Sequence, residues 1–352
     1  MALLHNRFVS ITGISACVPG QIEKNSENSF FPEGDVKAFI HNVGVEEFRK
    51  AGEDTCTSDL CVAAAEKLLE DTGVDRSEIG LLVFVSQSPD YYFLPNTACI
   101  IQDRLKLSKE TLAFDVPLGC SGYIYGLNLI AAFLSSGQMK RGLLLVGDTA
   151  SKIPYPKDKS SSMLFGDAGA ATLLEYDEKA DGLFFHMATD GSGHKAIIVP
   201  EGGYRNRFTA NSLTAYTNEE GLTRSPNSLH LDGFDVFSFG ISEAPKTCKK
   251  LMDHLKITTE DIDFAVFHQA NKMMNEKIRK KLSLPETKVP YSLKHFGNTS
   301  SASIPLTIVT ELKTALSNPV NRLLLCGFGV GLSWGTLYTN NRSIFVSDLI
   351  EI

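Results

Sequence analysis

The 352-residue sequence has no excess of basic charge: 34 Lys and Arg face 41 Asp and Glu, for a net charge of −7. It therefore lacks the electrostatic footprint of a nucleic-acid binder, and no such partner is expected. No stretch approaches the roughly 20 apolar residues that cross a bilayer, so no membrane span is expected. The segment 1–20 breaks its apolar residues with Asn6, Arg7, Ser10 and Thr12. It has no continuous signal-peptide core, and a cytoplasmic protein is expected. No tract is low in complexity, which argues against global disorder. The seven cysteines leave one unpaired under any full pairing, and none forms Cys-x-x-Cys. Cys56 and Cys61 have no second ligand pair elsewhere, so neither a metal site nor a cofactor is expected. Small buried residues in a reducing compartment account for most of these thiols.

What is present is an internal repeat within a chain that is 43% hydrophobic, enough to bury a large core. In the first half, a helical pattern from Ser58 to Asp71 leads through Asp75-Arg-Ser-Glu-Ile79 into the strand-like Leu81-Leu-Val-Phe-Val85. In the second, a pattern from Glu243 to Leu255 leads through Thr259-Glu-Asp-Ile262 into Phe264-Ala-Val-Phe267. Ile79 and Ile262 lie 183 positions apart, and Gly147 and Gly327, closing two similar Leu-rich runs, lie 180 apart. Between these landmarks each half has a strand-like run, a glycine corner and a helical run. The first reads Ala113-Phe-Asp-Val, Gly119-Cys120, then Tyr123 to Leu134. The second reads Val289-Pro-Tyr-Ser-Leu, Gly297-Asn298, then Ile304 to Leu316. Cys120 and Asn298 are 178 apart. Two similar βα halves, 1–178 and 179–352, predict an α/β fold. Packed about a pseudo-two-fold axis, they would bring Cys120 and Asn298 together. The Gly-, Asn-, Thr- and Ser-rich segment Glu201 to Ser228 is too long for an ordinary connection and reads as a functional or mobile loop.

Three residues carry candidate chemistry. Cys120 sits in Pro117-Leu-Gly-Cys120-Ser-Gly-Tyr123, where a strand ends, a glycine turns the chain and a helix begins. Unpaired N–H groups and the positive end of the helix dipole are expected there to favour the thiolate and lower the thiol pKa. His268 follows a strand, where open α/β sheets place their sites. Asn298, in Phe296-Gly-Asn298-Thr-Ser, could cap the helix that follows it.

Cys120, His268 and Asn298 in this order resemble the triad of the β-ketoacyl-acyl-carrier-protein synthase III family. The resemblance runs through five blocks. They are Asp115-Val-Pro-Leu-Gly-Cys120-Ser-Gly-Tyr-Ile-Tyr-Gly126, Leu164-Phe-Gly-Asp-Ala-Gly-Ala170, His268-Gln-Ala-Asn271, Gly297-Asn-Thr-Ser-Ser-Ala-Ser303 and Gly327-Phe-Gly-Val-Gly-Leu-Ser-Trp-Gly335. It implies a thiolase-like fold of two halves in a five-layered αβαβα arrangement. It also implies decarboxylative Claisen condensation of an acyl thioester with malonyl-acyl carrier protein, through an acyl group on Cys120. His268 and Asn298 would hold the enolate oxygen of the malonyl unit. Backbone N–H groups of Cys120 and of the loop carrying Val330 would hold the second oxyanion, and Phe328 would gate the malonyl carboxylate. The resemblance further implies a homodimer in which Leu94 closes the partner's acyl pocket. Leu94 stands where the family often has phenylalanine, which leaves room for a longer or branched chain.

The chain departs from the family's pattern at the coenzyme A adenine clamp. The two clamp positions, a tryptophan and an arginine in the family, align with Ala38 and Asn42, and an arginine usual after His-Gln-Ala-Asn is Met273. The acyl thioester can thus arrive on coenzyme A or on the carrier protein. An acidic carrier protein is expected to dock on Lys277, Lys280 and Lys281, which share a helix face. Two other readings compete. One is an acyltransferase that passes the Cys120 acyl group to a non-malonyl acceptor. It would have no need of a decarboxylating His268–Asn298 pair. The other is a non-catalytic partner subunit, which would have no need of Cys120.

Overall fold

A computed structural model describes residues 2–352. Two sheets lie at its centre. The first runs in the order Phe345–Val346, Val9–Val18, Ala168–Tyr176, Arg141–Asp148, Ile79–Val85 and Leu112–Val116, with Ile350–Glu351 also beside Val9–Val18. The second runs Ala2–Asn6, Leu183–Thr189, Ser333–Asn341, Asn321–Gly329 and Phe264–Phe267. Two of the predicted equivalences hold in the pairing. Ile79–Val85 runs parallel to Arg141–Asp148, which pairs antiparallel with Ala168–Tyr176. Phe264–Phe267 likewise runs parallel to Asn321–Gly329, which pairs antiparallel with Ser333–Asn341.

The short Leu- and Val-rich strands are buried on both faces because each sheet lies between helices. On Ile79–Val85, the side chains of Leu81, Val83 and Val85 face the molecular centre. Leu82 and Phe84 face outward onto the helices Thr57–Thr72 and Thr97–Arg104. The central layer holds the helices Gly122–Leu134 and Ser303–Glu311, which share one core with both sheets. A fully buried Leu or Ile there contributes about 1.5–3 kcal/mol. Beyond the second sheet, Cys326 and Phe267 pack on the helices Gly233–Leu255 and Lys272–Lys281. The result is the five-layered αβαβα arrangement of the thiolase-like fold.

Two local expectations need correction. Val289 to Ser292 is not a strand; a short helix, Leu293–Phe296, follows directly. Pro290 has no N–H to give a sheet ladder, so the second sheet ends at Phe264–Phe267. The helix expected from Glu243 begins ten residues earlier, at Gly233, because the Asp232 carboxylate accepts from the N–H groups of Phe234 and Asp235. The segment Glu201 to Ser228, expected as a functional or mobile loop, contains local structure. It carries the hairpin Tyr216–Thr217 and Thr223–Arg224, and buried Arg224 donates from Nε to the Asp158 carboxylate at 2.7 Å. The chain ends are also exchanged: Ala2–Asn6 pairs in the second sheet, and Phe345–Val346 and Ile350–Glu351 pair in the first. Among the described residues no helix is long and apolar enough to cross a membrane. No cluster of potential metal ligands occurs among them either.

Candidate active site

The residues carried by the two glycine corners, Cys120 and Asn298, open onto one cavity. Asn298 donates its N–H to the carbonyl of Leu164 at 2.9 Å and accepts from the N–H of Gly166 at 3.2 Å. Leu164 to Ala170 belongs to the first half, so this bridge pins the second corner to that half. Gly297 turns the chain into it at φ 63°, and a Cβ there would lie 2.7 Å from the Leu164 carbonyl oxygen. Only glycine meets both demands.

One cavity of about 230 Å³ is lined at once by Cys120, His268, Asn298, Phe328 and Val330. These five sequence-predicted residues are therefore brought together. Cys120 lies between the sheet and the helix Gly122–Leu134, just ahead of the cap residue Ser121. A Cβ on Gly329 would fall 2.8 Å from its sulfur, so the strand Asn321–Gly329 packs against it without a side chain between. The backbone N–H of Val330, that of Cys120 itself and the Ser300 hydroxyl all favour its thiolate. They do not prevail. Burial, with a smaller contribution from the nearby Asp148 carboxylate, pushes the thiol up to about 11. The expectation of a lowered pKa is thus reversed: the helix-start donors are present, but desolvation outweighs them.

His268 ends its strand by donating its N–H to the Cys326 carbonyl at 2.8 Å, and only 1% of the residue is exposed. Its Nδ1 lies 2.7 Å from the Ser303 hydroxyl. Burial lowers its pKa to about 3, partly offset by the Ser300 backbone carbonyl, so the ring is neutral through the physiological range. The Phe328 ring meets the imidazole edge-on, with centroids 5.6 Å apart. Asn298 accepts at Oδ1 from the Ser300 N–H at 2.9 Å, while its Nδ2 has no partner among the described residues. The side-chain amide orientation is thereby fixed, with the NH2 left for a ligand. Asn298 does not cap the helix Ser303–Glu311, whose cap position is Ala302; its Oδ1 closes a local turn at Ser300 instead.

Asp148 lines the same cavity, and the sequence reading passed over it. Its buried carboxylate accepts from Ser86, from the N–H groups of Gln87 and Ser88, from the Ser88 hydroxyl and from Ser301. The only local signal for it was a charged residue closing the hydrophobic run Leu143–Gly147. The remaining predicted residues do not line the cavity. Leu94 is 84% exposed on the surface run Tyr91 to Leu94. Lys281 donates to the Ile241 carbonyl, and the Lys277 ammonium sits 5.0 Å from the Phe237 ring centroid. Lys280 is exposed. Ala38 and Asn42 are exposed on the helix Glu33–Val43, whose Phe39 and Val43 line the cavity.

The sequence matches the family description 3-oxoacyl-[acyl-carrier-protein] synthase III over residues 114–191, and its C-terminal counterpart over residues 252–340. A putative 3-oxoacyl-[acyl-carrier-protein] synthase 3 from Campylobacter jejuni is 32% identical, covering 97% of this chain and 94% of that one. The chain belongs to the 3-oxoacyl-[acyl-carrier-protein] synthase III family. It is an acyl-transferring condensing enzyme. The crystal structure of a 3-oxoacyl-(acyl-carrier protein) synthase from Burkholderia xenovorans superimposes with a TM-score of 0.93 at 38% identity, covering 99% of both chains. A second 3-oxoacyl-(acyl-carrier-protein) synthase III structure gives 0.90 at 34% identity, covering 95% of this chain and 99% of the other. Both halves of the enzyme, and the site between them, therefore lie inside the shared architecture.

Proposed function

We propose that the enzyme joins an acyl thioester primer to malonyl-acyl carrier protein by decarboxylative Claisen condensation, through an acyl group carried on Cys120. The observation that carries this reading is the single cavity holding a thiol, a neutral imidazole and an unpartnered carboxamide NH2 beside an aromatic ring. In the first half-reaction the Cys120 sulfur attacks the primer carbonyl, and the carrier thiol departs with the thiol proton. In the second, the malonyl thioester oxygen sits against His268 Nε2 and Asn298 Nδ2. Loss of CO2 leaves an enolate whose negative oxygen these two donors stabilise. The apolar face of Phe328 disfavours the charged carboxylate and so promotes its loss. The enolate carbon then attacks the acyl-Cys120 carbonyl. Its oxyanion is held by the N–H groups of Cys120 and Val330 until the Cys120 thiolate is expelled and reprotonated.

A neutral imidazole suits this chemistry because the ring must donate without surrendering a full charge. The elevated thiol pKa suits it as well: the empty site holds Cys120 as a stable thiol until a thioester arrives. The primer reaches the site past Ala38 and Asn42, which themselves carry neither an aromatic ring nor a cation to clamp adenine. Coenzyme A therefore has no more than about a tenfold advantage over carrier protein in delivering the primer, and carrier protein docks through Lys277, Lys280 and Lys281. The exposed Tyr91 to Leu94 run forms a homodimer contact that places Leu94 at the partner's acyl pocket. The reading is tested by supplying acyl thioesters and malonyl carrier protein and measuring product mass. A 3-oxoacyl product two carbons longer than the primer supports it. Acyl transfer without CO2 release contradicts it.

A further inference from the structure

The direction of one buried hydrogen bond decides which imidazole nitrogen carries the proton. Ser303 is the first residue of the helix Ser303–Glu311 and is 1% exposed. Among the described residues its hydroxyl has two neighbours within hydrogen-bonding distance. One is Nδ1 of His268 at 2.7 Å, and the other is the backbone N–H of Gln269 at 3.4 Å. The amide can only donate, so at that contact the Ser303 oxygen accepts. The hydroxyl proton then has one acceptor left, the Nδ1 lone pair. A buried donor left unused costs about 1–3 kcal/mol, which fixes the direction of the bond.

We infer that Ser303 is a positioning residue: it donates to Nδ1 of His268 and thereby holds the ring as the Nε2–H tautomer, with that N–H facing the cavity. This rests on the role proposed above for His268. Without the Ser303 donor, the Nε2–H tautomer loses the bond that singles it out at Nδ1, and the Ser300 backbone carbonyl is the ring's remaining hydrogen-bond partner. In the Nδ1–H form the cavity would face a lone pair, which repels a developing enolate oxygen.

The surroundings hold Ser303 in place for this purpose. The Thr307 hydroxyl donates to the Ser303 carbonyl at 2.8 Å and lies 2.7 Å from the Ser292 hydroxyl. The Gln269 carboxamide spans Phe267 and Ser292, donating to the Phe267 carbonyl at 2.8 Å and accepting from the Ser292 N–H at 3.3 Å. Asn275 donates to the His268 carbonyl at 3.1 Å. Each backbone group that could rotate the ring or its partner is thus tied down. The helix Ser303–Glu311 also follows directly from the corner that carries Asn298. One short segment therefore sets the second donor and orients the first.

The test combines a spectroscopic and a kinetic readout. Nitrogen-15 NMR of histidine-labelled wild-type enzyme should show one buried neutral imidazole protonated at Nε2, assigned to His268 by its loss in His268→Ala. A ring protonated at Nδ1 overturns the proposal, and this measurement needs no Ser303 variant to fold. In Ser303→Ala, malonyl decarboxylation should fall about tenfold to a hundredfold, short of the 10²–10³ that removal of an oxyanion donor costs. Acylation of Cys120, read by intact mass on the same sample, should keep its wild-type rate, which also reports an intact fold. Ser303→Thr, which restores the hydroxyl, should recover most of the loss. Wild-type decarboxylation in Ser303→Ala, or equal losses in Ala and Thr, overturns the proposal. Failure of the His268 role itself shows separately, as full decarboxylation by His268→Ala.

Discussion

The two glycine corners start from the same local plan and do different work. At the first, Gly119 leads into Cys120, and the helix Gly122–Leu134 carries the chain away. At the second, Gly297 leads into Asn298, and Ser303–Glu311 carries it away. The first corner presents a side chain that can form a bond. The second presents one whose free group, Nδ2, can only donate hydrogen bonds. Their partners differ too. Cys120 is packed against the bare backbone of Gly329, while Asn298 is held by reciprocal main-chain bonds to Leu164 and Gly166. On the proposed reading, the scaffold brings a nucleophile from one half to donors from the other. The division of labour rests on which side chain each corner carries.

The sharpest way to break this comparison is to remove the nucleophile. Cys120→Ala should abolish acyl transfer while leaving the circular dichroism spectrum and thermal midpoint close to wild type, since only a small thiol is lost. An acylated, active variant would show that the first corner has been misread. Next in size are the donors of the second half. His268→Ala and Asn298→Ala should each lower decarboxylation by about 10²–10³ while Cys120 is still acylated.

Titration separates the two corners further. With the Cys120 thiol at about 11, its alkylation by iodoacetamide should rise about tenfold per pH unit from pH 7 to 10. A plateau below pH 9 would contradict the burial argument. Asp148→Asn should move that profile to lower pH, since the carboxylate raises the thiol pKa. His268 behaves oppositely. Its folded pKa, about 3, lies below the ordinary 6.5. The stability it contributes is therefore full above about pH 6.5 and is lost as pH falls towards 3. No acid limb from this ring should appear in the decarboxylation profile between pH 5 and 8.

Two smaller effects refine the comparison. The missing adenine clamp at Ala38 and Asn42 should leave kcat/KM for a primer on coenzyme A no more than tenfold above that for the same primer on carrier protein. A larger ratio would mean that other residues rebuild the nucleotide site. Gly297→Ala should destabilise the protein by about 1–3 kcal/mol through its left-handed backbone, read as a lowered thermal midpoint. The crowding against Leu164 adds to that strain.

Much of this plan was legible in the sequence. The hydrophobic runs Leu81–Val85 and Leu143–Gly147 and their counterparts gave the sheets, because strands buried on both faces need nothing but local composition to be seen. The corners at Cys120 and Asn298 were legible because glycine marks a turn at a fixed offset. What escaped depends on contacts distant in the chain. The Cys120 pKa is set by burial and by Asp148, neither of which the helix-start pattern reveals. Glu201 to Ser228 is held by contacts both within the segment and beyond it, the ion pair between Arg224 and Asp158 among them. The exchange of the chain ends between the sheets leaves no periodic signal. Ser303 stood in plain view inside a recognised block, but its bond to His268 exists only in three dimensions.

The most direct test of the division between the two corners is a timed intact-mass experiment on wild type and Asn298→Ala. Each protein is first mixed with a primer thioester, then with malonyl carrier protein. Both should gain the primer acyl mass on Cys120. Wild type should then discharge it into a 3-oxoacyl product with release of CO2, while Asn298→Ala stays acylated. Discharge of the variant at the wild-type rate, or its failure to acylate at all, would contradict the account.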